Sequence, residues 1–103
     1  MTAKVILTPE AQSDVAETAA WYRNRSIKAA EQFLFAVGIA FERIGAQPTA
    51  RVVIDGATGA RRALLRKYPQ RVLYLIDGDR IIVFAVMHHH RDDPAWRERL
   101  QEP

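Results

Sequence analysis

Residues 86–96 read Val-Met-His-His-His-Arg-Asp-Asp-Pro-Ala-Trp, and their three histidines are the only ones in the 103-residue chain. Imidazole chemistry therefore has to come from here. On an extended strand His88 and His90 point to one face, with Ile82, Phe84 and Val86, while His89 points to the other with Val83 and Met87. Two histidines two apart can share a metal. A zinc site still needs a third and usually a fourth ligand, and the only nearby candidates, Asp92 and Asp93, lie past the strand's end. A neutral imidazole among arginines can instead take a proton from a ribose 2′-hydroxyl while guanidinium groups hold the phosphate. The third reading is structural: hydrogen bonds that close the strand and set the segment after it.

Other chemistries lack their residues. The chain has no cysteine, which excludes disulfides, thiolate catalysis and zinc–cysteine sites and suits a reducing cytoplasm. There is no phosphate-binding glycine loop, no nucleophile elbow and no His-Glu-x-x-His, so no cofactor is expected. The paired carboxylates Asp77/Asp79 and Asp92/Asp93 fall in a turn and at a helix cap rather than in a glycosidase-like pair. No apolar run approaches a membrane span, and the first residues do not read as a signal peptide.

The net charge of +3 is unevenly spread. Residues 1–50 balance their cations and anions, whereas residues 51–71 carry Arg51, Arg61, Arg62, Arg66, Lys67 and Arg71 against Asp55 alone. Such a block fits an anionic partner, a nucleic acid or an acidic polypeptide, or a solvated strand face.

The elements that position these residues follow from the patterning. "KVILT" (4–8) reads as a strand. Thr8-Pro9-Glu10 reads as a cap, a first-turn proline and an acid that open a helix running to about Arg25, with Ala11, Val15, Ala19 and Tyr22 on one face. Asn24 or Ser26 caps the next helix, residues 27–46. There Ile27, Ala30, Leu34, Val37, Phe41 and Ile44 form an apolar stripe widened by Phe33 and Ala40, ended by Pro48. The short joint makes an antiparallel helical hairpin. "RVVIDGATGA" holds a short strand and a loop. Residues 61–67, 71–76 and 80–88 read as strands, with a tight turn at Asp77-Gly78-Asp79. Asp93-Pro94 opens a short C-terminal helix whose Trp96 packs its indole inward. The expected fold is α+β, in the order β-α-α-β-β-β with a final helix: a helical hairpin on a mostly antiparallel sheet, in one domain spanning residues 1–103.

Taken together, these stretches resemble the RelE/ParE superfamily of toxins from type II toxin–antitoxin systems. "LTPEAQSDVAETAAWY" is similar to the family's first strand and helix, and "SIKAAEQFLFAVGIAFERIGAQP" to its second helix. The most specific likeness is "RRALLRKYPQRVLYLIDGDRIIVFAVMHHHRDDPAW", with Tyr68-Pro69, Arg71, Tyr74, Asp77-Gly78, the strand from Ile81 to Val86, His88, Arg91 and Asp93-Pro94 in the family's order. An extra residue between Arg91 and Pro94 leaves His88 and His89 as alternatives for the family's histidine.

The resemblance implies a cytoplasmic growth inhibitor held by a cognate antitoxin in a hetero-oligomer, with no membrane partner. It offers two activities. RelE-like members cut messenger RNA on the ribosome. Here Arg62, Arg71 and Arg91 match their basic positions, but Leu64 stands where a second lysine is usual. Cleavage would need His88 or His90 as base, with Arg71 and Arg91 on the developing charge, because arginine stays protonated. ParE-like members poison DNA gyrase without a hydrolytic site, and the long hairpin and the "HHHRDDPAW" ending look more like theirs. Arg61, Arg62, Arg66, Arg71 and Trp96 are then candidate contacts for antitoxin or target. A third reading is a non-toxic antitoxin-binding module.

Overall fold

The computed structural model of the chain describes residues 2–88 and 96–100. Strand β1 (Lys4–Leu7) leads into helix α1 (Pro9–Arg23), which turns back as helix α2 (Ile27–Ala46). A 3₁₀ turn (Pro48–Ala50) precedes β2 (Val53–Asp55), β3 (Ala60–Leu64), β4 (Gln70–Asp77) and β5 (Arg80–His88), and a second 3₁₀ turn spans Glu98–Leu100. The α+β order matches the expectation. The five strands lie in the order β1-β5-β4-β3-β2, with β1 parallel to β5 and every other pair antiparallel. Where a C-terminal helix was expected the described residues are helical, α at Trp96 and Arg97 and 3₁₀ over Glu98–Leu100; the histidines beyond His88 and the Arg91–Pro94 stretch lie outside the described residues.

Local chemistry sets the helix ends. Thr8 accepts the Ala11 N–H through its hydroxyl at 3.2 Å, with Pro9 at the first helical position. Ser26 does the same for Ala29 at 2.9 Å, while Asn24 ends α1. These side chains replace partners that the first turn of a helix lacks. Gly45 lets α2 pass against the chain's start: a Cβ there would lie 2.9 Å from the Ala3 carbonyl, and Ala3 donates its N–H to the Gly45 carbonyl.

The sheet divides two apolar clusters. On the helix side Ala11 and Ala19 of α1 and Phe33, Val37 and Ile44 of α2 cover Val72, Tyr74, Ile81, Val83 and Val86. On the far side Leu73, Phe84, Ala85 and Met87 are capped by Trp96. The buried face of α2 holds Ala30, Val37 and Ile44 of the expected stripe and the Phe33 and Ala40 that widen it, while Ile27 and Leu34 at its other margin are exposed. A second departure sits in β5. Leu73 pairs with Ala85 and Tyr74 with Val83, so Phe84 is an extra residue, a β-bulge. It resets the alternation. Phe84 joins Ala85 and Met87 on the far face, and Val86 and His88 move to the helix side.

Strand β5 also outruns β1, whose pairing stops at Val83. Beyond that point the edge is met by side chains. Asp14 of α1 accepts the Val86 N–H at 2.9 Å, and Arg99 donates to the Phe84 carbonyl at 3.1 Å. Arg99 and Asp14 close on each other through two bonds, at 2.6 and 3.1 Å. A second tie joins Arg97 to Asp55 at 2.8 Å; the Thr58 hydroxyl first, and Arg97 next, hold the Asp55 carboxyl below the usual carboxylate range.

Asp14→Ala strands both the Val86 N–H and a largely buried guanidinium. It should cost about 2–4 kcal/mol by urea denaturation, with Asp14→Asn losing less. Equal losses for the two would mean that the carboxylate's charge, not its acceptor geometry, holds the edge.

The Tyr74 hydroxyl donates to the Pro48 carbonyl at 2.6 Å, and burial holds its phenol above the usual tyrosine range. Above the ordinary phenol pKa the unfolded chain ionises while the folded chain resists, so stability should fall as pH rises through about 10. Tyr74→Phe should cost about 1 kcal/mol near neutral pH and flatten that alkaline loss.

Candidate functional site

Strand β2 is short and pairs only with Ala60 and Arg61 of β3. The end of β3 therefore has no neighbouring strand on that side, and a groove of about 540 Å³ opens between it and α2. Phe35, Ala36, Ile39 and Ala40 of α2 form one wall, Ala63 of β3 the other, with Leu64 at the strand's edge turned toward the far face, and Tyr68 closes one end. Tyr68 is fixed from behind by Tyr22 and Phe33, whose ring centroids lie 5.8 and 5.6 Å away.

Four cations line the groove: Arg43 on α2, Arg51 after the first 3₁₀ turn, and Arg66 and Lys67 in the turn after β3. No Asp or Glu is among the described residues that line it. Arg51 is placed by its surroundings. Arg61 reaches from β3 to donate to the Thr49 and Arg51 carbonyls, at 3.2 and 2.7 Å, and Tyr74 holds Pro48. Lys67 carries a φ of 70°, a left-handed backbone in a turn closed by the Tyr68 N–H on the Leu65 carbonyl. A glycine suits that position; a lysine there is strained. Strain at a non-glycine residue beside a groove is itself a reason to ask what the side chain does.

The expected basic surface is divided. Arg61 faces the helices and spends its guanidinium on backbone carbonyls, whereas Arg62 stands exposed on the far face. Arg66 lies on the groove's rim. Arg71 is buried on the far face, between Leu64 and Met87 in register, and lines a separate cleft of about 350 Å³ with Arg62, Gln70 and Pro69. Alternation along neighbouring strands puts Arg61 and Arg62 on opposite sides, which counting charges along the chain could not register. Trp96 is enclosed at 1% exposure, with its ring 6.2 Å from Phe84 and Arg97 over its other side at 4.6 Å. The inward packing holds, and a partner contact through the indole is blocked while the C-terminal turn stays in place.

His88 is exposed on the helix side, where it lines a cleft with Thr18, Glu17 and Gln70. Its strand neighbour Met87 pairs with Arg71 on the other face. The structure thus keeps His88 and Arg71 on opposite sides of the sheet. His90 and Arg91 lie outside the described residues. Among the described residues no three His, Asp or Glu side chains are grouped to hold a metal ion, and no helix is long and apolar enough to cross a membrane. Sequence reasoning missed Phe35, Ile39 and Arg43 as site residues. Their only signal was an apolar pair and a cation on a helix face that the stripe had assigned to solvent.

The fold has a known counterpart. Residues 5–93 match the family model described as the ParE toxin of the type II toxin–antitoxin system, parDE. The chain belongs to that toxin family, within the RelE/ParE superfamily. A solved chain of the chromosomal ParDE toxin–antitoxin system from P. aeruginosa superposes with a TM-score of 0.61 at 16% identity, covering 84% of this chain and 96% of that one. That likeness is one of fold. No curated protein matches the sequence.

Lys67→Gly relieves the left-handed strain and should raise stability by up to about 1 kcal/mol in urea denaturation. A loss instead would mean that the lysine side chain contributes more to the folded state than its backbone costs.

Proposed function

We propose that this chain is a ParE-like growth inhibitor that acts in the cytoplasm on DNA gyrase and is neutralised by a cognate antitoxin protein in a hetero-oligomer. Membership of the ParE toxin family makes it a type II toxin with a protein antitoxin as partner. The observation that carries the choice of target is the separation of His88 from Arg71. A ribonuclease of the kind the sequence suggested needs a base and its guanidinium partners around one scissile phosphate. Here His88 shares a face with Val86, and Arg71 shares the other with Leu73 and Met87. Leu64, on the side of Arg71, adds no ammonium to that face. The Tyr74 hydroxyl, already donated to Pro48, is no alternative base.

A ribosome-directed activity keeps one observation in its favour. Arg62 and Arg71 line the same cleft, which suits a phosphate even without a base beside it.

Induced expression in a bacterium lacking the antitoxin tests the target. Growth arrest with gyrase-linked DNA breaks, lost supercoiling and intact messages is the expected result. Cuts within translated messages that vanish in Arg62→Ala and Arg71→Gln would replace the gyrase reading with the ribonuclease. Normal growth would overturn both and leave an antitoxin-binding module.

A further inference from the structure

We propose that α2 pairs with α2 of a second copy of this chain, antiparallel, about a twofold axis that passes by Phe35. The inference goes beyond the reading of a toxin with its antitoxin and does not depend on it.

Three observations on α2 select this partner. The first is apolar surface on the side turned from the core. Phe33, Val37, Ala40 and Ile44 are buried in the helix-side core. Phe35, across the helix from them, is 72% exposed, and Ile27 and Leu34 are exposed as well. Large apolar side chains gathered on the outer side of one helix mark an interaction surface more than single exposed ones do.

The second is Gly38, exposed and about one turn beyond Phe35. Glycine is the poorest helix former after proline. A Cβ at Gly38 would meet nothing within 4 Å, so packing within the chain does not call for a glycine there, whereas at Gly45 it does. Bare backbone in the middle of an exposed face leaves room for another helix to come close, and for the Phe35 ring that helix brings.

The third is the order of charges. Lys28, Phe35 and Glu42 recur at seven-residue intervals and so lie along one line of the helix. All three are exposed, and among the described residues neither Lys28 nor Glu42 forms an ion pair. A second α2 turned end for end about Phe35 sets its Glu42 opposite Lys28 and its Lys28 opposite Glu42, each about 10 Å from the axis. Phe35 then meets its own copy. A cation, an aromatic ring and an anion at equal spacing make a self-complementary face, which is what an isologous interface requires. A parallel pairing would instead oppose like charges. Glu31 and Arg43 also balance, so this side of α2 has no net charge to select an acidic or a basic partner.

The test is sedimentation velocity and equilibrium on the full chain, from about 1 µM to about 1 mM. One helix pair buries on the order of 1,000 Å² at most, the low end for specific association. The chain should therefore pass from monomer to dimer with a Kd of about 10–100 µM, and no further. Phe35→Glu, which brings two carboxylates together at the axis, should weaken the dimer by about tenfold or more. Lys28→Glu and Glu42→Lys should each weaken it by about threefold or more, because each strikes two symmetric pairs, and the double exchange should restore it. Gly38→Ala separates association from folding: it should raise the thermal midpoint of the monomer and weaken the dimer. These side chains are exposed, and unchanged melts of the other variants would show that they are folded.

A chain that stays monomeric to about 1 mM would overturn the proposal. So would a dimer that Phe35→Glu and Gly38→Ala leave unchanged, a charge exchange that does not restore pairing, or growth into larger assemblies. The growth assay reads the toxin function separately: a dimer without growth arrest would sink the toxin reading alone, and arrest by a strictly monomeric chain would sink the dimer alone.

Discussion

The Asp14 carboxylate holds the part of this fold that strand pairing does not reach. Strand β5 is the central spine, yet past Val83 it has a neighbour on one side only. An unpaired edge is a site for aggregation and a loss of hydrogen bonds unless something covers it. Asp14 covers it by accepting the Val86 N–H and gripping Arg99, which in turn takes the Phe84 carbonyl. One ion pair thereby joins α1, the bulged edge of β5 and the C-terminal turn. The same C-terminal segment seats Trp96 against Phe84 in the far core.

The two open strand ends have opposite fates. At the end of β5 the molecule supplies its own partners. At the end of β3, where β2 stops short, it supplies none across the gap and lines it with apolar walls and cations instead. The surrounding contacts keep that second gap open. Tyr74 and Arg61 fix the segment from Pro48 to Arg51 at its side, and the Tyr22, Phe33 and Tyr68 rings brace its end. Their packing holds the shape of the groove. Lys67 holds its left-handed backbone at the rim of the same groove.

Much of this was legible in the residues. Thr8-Pro9 and Ser26 mark helix starts because a hydroxyl can replace a missing partner whatever the tertiary context, and both caps form as expected. Residues 80–88 read as a strand by their β-branched run, and β5 has those bounds. The turn after β4 formed too, with Gly78 taking the positive φ. What failed were statements about direction. Ala30, Val37 and Ile44 of the α2 stripe are buried together with Phe33 and Ala40 that widened it, but Ile27 and Leu34 at its other margin stay exposed. The extra residue at Phe84 leaves His88 with Val86 but parts both from Ile82 and Phe84, and no composition rule signals a bulge. The clustered arginines of residues 61–71 were read as one surface because they are close along the chain. A strand sends consecutive side chains to opposite sides.

The sequence by itself determined the elements, their order, the family and the presence of an unbalanced basic block, because caps, periodicity and charge are local properties that survive any packing. Tertiary structure alone decided which cations meet. Arg43, Arg51, Arg66 and Lys67 come from a helix, a turn's exit and a strand's end, and they converge only because β2 is too short to cover β3. It also separated His88 from Arg71, neighbours across a strand pair, by the thickness of the sheet. Register and the bulge fix which face each side chain takes, and both arise from contacts between segments distant in the chain.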